Sequence, residues 1–316
     1  MTDDLSPPEP GDVVADRLVL HDEIGHGAQG VVWRALDRRD DRWVAAAAFP
    51  LGAEVPLDRG EGAHAAHPHV LAPYDTVHGG DGLAWALAPL VRGGTLGQLL
   101  VDHGPLPSMF VAVVLDQLLD ALVAVHGSGL VHRDVTAANV LLEPTGSRRP
   151  HAWLADFGLA AGERTHGRPR VGTPGYASPE QDAGARPDPR ADLFALGVLA
   201  RELLTGAPPP TGDEPPQPEV QGLLAGVVGE LTAQDPADRP LSAREARAML
   251  RSAGVPAGAP WELDRRPPFV PDRLGPDPEH RPGRDSLSRT QPTRWWLRWL
   301  PGSGSDTDDT DDTKPA

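Results

Sequence analysis

The chain has 316 residues, enough for one large domain or two moderate ones with a sizeable core. A formal net charge of −16 argues against nucleic acid as a partner, because phosphate backbones are gripped by Lys/Arg surfaces. With no cysteine there are no disulfides and no Cys-ligated metal, which suits a cytoplasmic protein, and of the 29 Lys and Arg residues only Lys314 is a lysine.

Residues 1–14 are acidic and Pro-rich, without the basic and apolar blocks of a signal peptide, and are expected to form a disordered leader. From 15 to about 90 the segments RLVLHDEIG, GVVWRAL, RWVAAAAF and LAWALAPLV are short, apolar and bounded by turn residues, so they are expected to be strands. From 91 to 252 helical spacing dominates. Phe110 to His126 is interrupted by Asp116, Gln117 and Asp120, which fits a buried amphipathic helix better than a membrane span. Ala191 to Leu204 repeats the pattern, and Ser242 is placed to cap a helix from Ala243 that carries Glu245 at its third position. GAPPPTGDEPPQPE reads as a loop between helices. Residues 253–316 are rich in Pro, Arg and Asp without periodicity and are expected to be largely unstructured, with a Trp/Arg patch at 294–300. The organisation is α+β: a small β-rich lobe (15–90), a larger helical lobe (91–252) and a tail.

Four motifs carry chemistry. Gly25, Gly27 and Gly30, followed by Val32, lie between two strands, where missing side chains let a backbone approach a phosphate; alone this equally suits a glycine-rich hairpin. Val131-His132-Arg133-Asp134 is followed by Asn139 and the apolar run Val140 to Leu142. One loop thus carries a carboxylate that can accept a proton and an amide oxygen that can hold a hard cation. Ala155-Asp156-Phe157-Gly158 follows the strand-like HAWLA, and Gly172 to Glu180 (GTPGYASPE) lies downstream. In this order and spacing the four are not a chance set.

Together they resemble the protein-kinase family, in its bacterial Ser/Thr branch, over residues 15 to 252. The resemblance implies a two-lobed fold and transfer of the ATP γ-phosphate to protein Ser/Thr hydroxyls. It implies that Asp134 orients and deprotonates the acceptor hydroxyl, and that Asn139 and Asp156 hold Mg²⁺ (or Mn²⁺) on the ATP phosphates. Val32, Ala45 and Leu141 would enclose the adenine, with Gly25, Gly27 and Gly30 over the phosphates. His132 and Phe157 would join the packed stack between the lobes. Thr173 would touch Asp134, Asp192 would brace the catalytic loop, and Arg239 would pair with Glu180. Arg133 would be available to a phosphate on the activation loop, where Thr165 is the nearest candidate.

Two positions depart from the pattern. The strand after the glycine hairpin should read V-A-x-K, its lysine on the α- and β-phosphates and paired to a helical glutamate. Here Val44-Ala45-Ala46-Ala47 places Ala47 at the lysine position. The following segment contains Pro56, Gly60 and Gly62, poor residues for a helix, and offers Glu54 and Glu61 without a clear match. Thr136 stands where these kinases carry a second phosphate-contacting lysine. Arg34 is the nearest cation in sequence, and it is expected to face solvent. Two readings follow: a Ser/Thr kinase with impaired turnover, or a pseudokinase acting as an ATP-sensing or scaffolding module, each with a protein substrate or partner. The 294–300 patch is too short for stable membrane anchoring, and SDTDDTDDT beyond it is expected to be a solvating tail.

Overall fold

The computed structural model describes residues 8–27, 30–50, 67–79, 82–156, 172–211, 218–254 and 267–278, all within the unit that ends at His280. The N-terminal lobe is an antiparallel sheet of β1 (Val13–Val14), β2 (Leu18–Gly27), β3 (Gly30–Asp37), β4 (Arg42–Pro50), β5 (Asp75–His78) and β6 (Leu83–Pro89), in the order β1-β2-β3-β4-β6-β5. The four expected strands are β2, β3, β4 and β6; β5 was not marked by its own sequence, and the expected disordered leader is wrong for residues 8–14, where β1 pairs with β2 and the Gly11 amide donates to the Leu20 carbonyl.

Strand alternation assigns the faces. Trp33, Ala35, Val44, Ala46, Trp85 and Leu87 are buried in one cluster with Leu18 and Leu20. The register pairs Val32 with Ala47 and Ala47 with Ala86, and pairs Arg34 with Ala45 and Ala45 with Ala88. These residues therefore share the opposite face, where alanines of β4 and β6 lie beside the Arg34 and Trp43 side chains. The alanine run is thus split: Ala46 packs beneath two fully buried tryptophans, while Ala45 and Ala47 are half-buried on the other side.

Residues 90–95 link β6 to the helical lobe, which contains α1 (Leu96–His103), α2 (Ser108–Gly127), a β7 (Val140–Leu142)/β8 (Ala152–Leu154) hairpin, α3 (Pro179–Asp182), α4 (Pro189–Thr205), α5 (Ala225–Leu231) and α6 (Ala243–Ser252). Thr95 and Gln98 close a capping box on α1, and Ser242 accepts from the Glu245 amide to start α6 as expected. Helix α2 is long and apolar enough to cross a membrane, but 72% of its apolar window is buried inside the protein, as befits a core helix. Its polar interruptions are explained by burial rather than solvent. The Asp116 carboxylate accepts from Arg247 Nε at 2.9 Å and Arg251 Nε at 2.9 Å, tying α2 to α6. The Gln117 amide donates to the Pro150 carbonyl and accepts from the Ala152 amide, both at 2.8 Å.

The tail expectation fails for residues 267–278. They pack on the domain, with Val270 buried in the helical-lobe core and paired to Gly146 through two backbone hydrogen bonds of 2.9 and 3.0 Å. Pro-rich sequence without periodicity can still be ordered when prolines lower its chain entropy and side-chain ion pairs hold it.

Candidate active site

The loop from Val131 to Asn139 turns sharply between α2 and β7. Arg133 adopts φ +69°, a left-handed conformation costing about 1–3 kcal/mol for a non-glycine residue. Asp192, fully buried near the start of α4, holds that turn. Its carboxylate accepts from the His132 amide at 2.8 Å, from the Arg133 amide at 2.7 Å, and lies 2.8 Å from His126 Nε2. His132, also fully buried, places Nε2 3.0 Å from the Ala155 carbonyl, and the Ala155 amide donates to the Asn139 carbonyl at 2.9 Å. The residue before Asp156 is therefore tied to both the His132 and Asn139 ends of the loop. Asp156 itself sits at φ +61°.

These constraints converge on Asp134. Asn139 Nδ2 donates to Asp134 Oδ2 at 2.7 Å and to its carbonyl at 2.9 Å, while the Thr173 amide and hydroxyl donate to Oδ1 at 2.9 and 2.7 Å. The carboxylate is held from two elements in one orientation. With the Asn139 nitrogen committed to Asp134, its amide oxygen is the atom left to take a cation. That oxygen and the Asp156 carboxylate are each hard donors of the kind Mg²⁺ takes alongside water and phosphate.

Glu180 and Arg239 form a bidentate pair, Nη1 to Oε1 at 2.6 Å and Nη2 to Oε2 at 2.9 Å. The Arg239 side chain is 0% exposed, donates to the Ala233, Arg190 and Gln234 carbonyls as well, and lies over the Phe194 ring. Burial raises the Glu180 carboxyl, but hydrogen bonds, Arg239 foremost, bring it net below its ordinary value.

The glycines divide by role. Gly25 pairs with Val32, and among the described residues a Cβ there would meet only the Val32 Cβ at 3.9 Å, so these residues leave room for a side chain. Gly30 has φ +151°, and a Cβ would lie 2.3 Å from the Ala48 carbonyl oxygen, so the fold itself demands glycine. Gly27 pairs with Gly30 at the end of the hairpin. Val32 and Ala45 lie half-buried on the alanine-rich face, and Leu141 lies half-buried in β7, bridged to Thr95 at the start of the helical lobe.

Arg34 is not solvent-facing. It is buried on the same face as Ala45 and Ala47, donates from Nε to Asp22 at 2.7 Å and from Nη1 to the Leu274 carbonyl at 3.1 Å, and stands 5.8 Å from the Trp43 ring. The strand alternation that puts Val32 on this face puts Arg34 there too. Thr136 is buried, so its hydroxyl is no stand-in for a lysine reaching outward. Phe157, Gly158, Thr165, Glu54, Glu61 and the 294–300 patch lie outside the described residues. One feature had no sequence signal: Tyr176 Oη donates to Glu202 across the buried interior. Burial raises both groups, and the contact anchors the Gly172–Ser178 loop to α4.

The protein kinase domain family model matches residues 18–250. The chain is similar to the serine/threonine-protein kinase PknL of Mycobacterium tuberculosis, 36% identical over 253 residues (71% of this chain, 62% of the relative). It is similar to serine/threonine-protein kinase PkaA of Streptomyces coelicolor, 32% identical over 285 residues (78% and 52%), and to serine/threonine-protein kinase PknB of Mycobacterium leprae, 31% identical over 287 residues (79% and 45%). The chain thus spans about half to three-fifths of the length of these relatives. The match covers both lobes, and within it lie the braced loop, the Asp134–Asn139–Thr173 constellation and the Glu180–Arg239 pair: the chain belongs to the protein kinase domain family.

Proposed function

We propose that this chain is cytoplasmic, binds Mg-ATP and transfers the γ-phosphate to serine or threonine hydroxyls of a protein substrate, with turnover lowered by the loss of two phosphate-contacting cations. The observation that carries the reading is Asp134, whose carboxylate is fixed by Asn139 and Thr173 from opposite sides. So held, it can accept the proton of an incoming hydroxyl without reorganising. Asn139 and Asp156 would hold Mg²⁺ (or Mn²⁺), which when bound neutralises charge on the phosphates. Val32, Ala45 and Leu141 supply apolar surface for the base, and the open space at Gly25 leaves the hairpin able to approach a phosphate.

A second reading, a nucleotide-sensing pseudokinase, is favoured by the alanine face. Ala47 offers no charge, Thr136 is buried, and Arg34 is engaged by Asp22 and Leu274. Losing one preorganised charge-stabilising donor typically costs ~10²–10³ in turnover. The deciding assay is transfer of the γ-phosphate to the protein itself and to a basic substrate, comparing wild type with Asp134→Ala and Ala47→Lys. Incorporation in wild type that disappears in Asp134→Ala supports the kinase. Absence of incorporation in wild type, with gain in Ala47→Lys, supports the pseudokinase and assigns the deficit to β4. Calorimetry that detects no Mg-ATP binding at millimolar concentration would sink the kinase and the nucleotide-sensing reading, leaving a scaffolding module.

A further inference from the structure

We propose that residues 267–278 are an interlobe brace, which closes the outer end of the cleft and fixes the N-terminal lobe against the helical lobe. The segment touches three places in turn. On the helical lobe, Val270 pairs with Gly146, the Phe269 carbonyl lies 3.1 Å from His103 Nε2, and Arg273 is ion-paired with Asp102 of α1. At the link between the lobes, the Arg273 amide donates to the Arg92 carbonyl at 2.8 Å and its Nε donates to the Gly93 carbonyl at 3.2 Å. Arg92 reaches back to Asp272 at 3.0 Å, to Asp277 at 2.6 Å and to the Gly275 carbonyl. On the N-terminal lobe, Arg34 of β3 donates to the Leu274 carbonyl.

The link packs closely against the segment and the helical lobe together. A Cβ at Gly93 would lie 2.3 Å from the Leu142 carbonyl oxygen and 2.9 Å from a Val270 methyl, and a Cβ at Gly94 would lie 2.2 Å from Gln98 Oε1 and 2.4 Å from Arg273 Cδ. Asp272 rigidifies the turn that presents Leu274, accepting from the Leu274 and Gly275 amides at 3.0 and 3.1 Å. The brace also spans the cleft's edge. Arg34 shares the sheet face of Val32 and Ala45 above, and Gly93 and Gly94 hydrogen-bond Leu142, the neighbour of Leu141, below.

Interlobe distance tests the brace directly. The chain has no cysteine, so spin labels on Arg39→Cys and Leu241→Cys, both at exposed positions, report one N-terminal-lobe to helical-lobe distance in the full-length protein. The parent should give a narrow distribution, and Arg92→Ala and Arg273→Ala should each broaden it, the double variant most. Both residues are partly exposed, and an unchanged far-ultraviolet spectrum in each variant verifies folding. Distributions of unchanged width would overturn the proposal. The cleft-closing role rests on the nucleotide-binding reading above: Mg-ATP affinity should fall by about tenfold in the double variant, whereas tighter binding would mean that the segment obstructs the cleft. If the parent binds no nucleotide, the functional reading fails while the distance measurement still decides the brace.

Discussion

The cleft-facing side of the N-terminal sheet and the catalytic loop of the helical lobe are built in opposite ways. The loop is dense with polar partners. Asp192 holds two backbone amides and His126, Asp134 is held by Asn139 and Thr173, and Glu180 is locked to a buried Arg239. The sheet face is built from Val32, Ala45, Ala47, Ala86 and Ala88, and its one arginine is turned to Asp22 and the 267–278 segment. The difference separates two jobs that one motif set usually performs together. Polar groups that position a backbone must be satisfied for the domain to fold, because burying them unpaired costs several kcal/mol. A lysine that projects toward a ligand contributes little to folding, so replacing it with alanine leaves the sheet intact.

That contrast can be broken first at its strongest point. Arg239→Ala leaves Glu180 and three carbonyl acceptors without their donor and should destabilise the protein by about 3–5 kcal/mol in chemical denaturation. Ala47→Lys, by comparison, should leave the denaturation midpoint nearly unchanged. If both variants unfold alike, the alanine face is structural after all. Gly30→Ala sharpens the division among the glycines: its backbone conformation alone should cost about 1–3 kcal/mol, with the Ala48 carbonyl clash added, whereas Gly25→Ala should change thermal stability little. Equal losses at both positions would mean that Gly25 too is fixed by the fold.

The smallest effect is a pH dependence in the N-terminal lobe. The hydrogen bonds from Arg17 hold the fully buried Asp37 carboxyl below its ordinary value of 3.8. A depressed carboxylate contributes stability that is present above the unfolded pKa and is lost as pH falls through the folded pKa. Asp37→Asn should therefore lower stability at pH 6 and flatten its decline below pH 4, as read from thermal midpoints across that range. A variant with the parent's acid slope would show that this pair contributes nothing to the decline.

Much of the site was legible because its residues are close in sequence or fixed in spacing. Asp134 and Asn139 share one loop, and the Glu180–Arg239 and Asp192 braces followed from the family resemblance and were found at hydrogen-bonding distance. Arg34 was misjudged for a physical reason. Alternation sets its face, but whether that face meets solvent depends on Leu274, 240 residues away. Tyr176 and Glu202 carried no signal either, since neither residue is unusual until folding buries one against the other.

The sequence by itself determined the lobes, the order of the chemical groups and the absence of lysine from the cleft-forming part of the chain, because periodicity, spacing and composition are local properties. Only the tertiary structure decided that Ala46 is core while Ala45 and Ala47 line the open face, that Gly30 is demanded by the Ala48 carbonyl, and that an aperiodic stretch past the last helix returns to the link between the lobes. Each depends on which distant backbone lies within a few ångströms, and that follows from packing the whole chain.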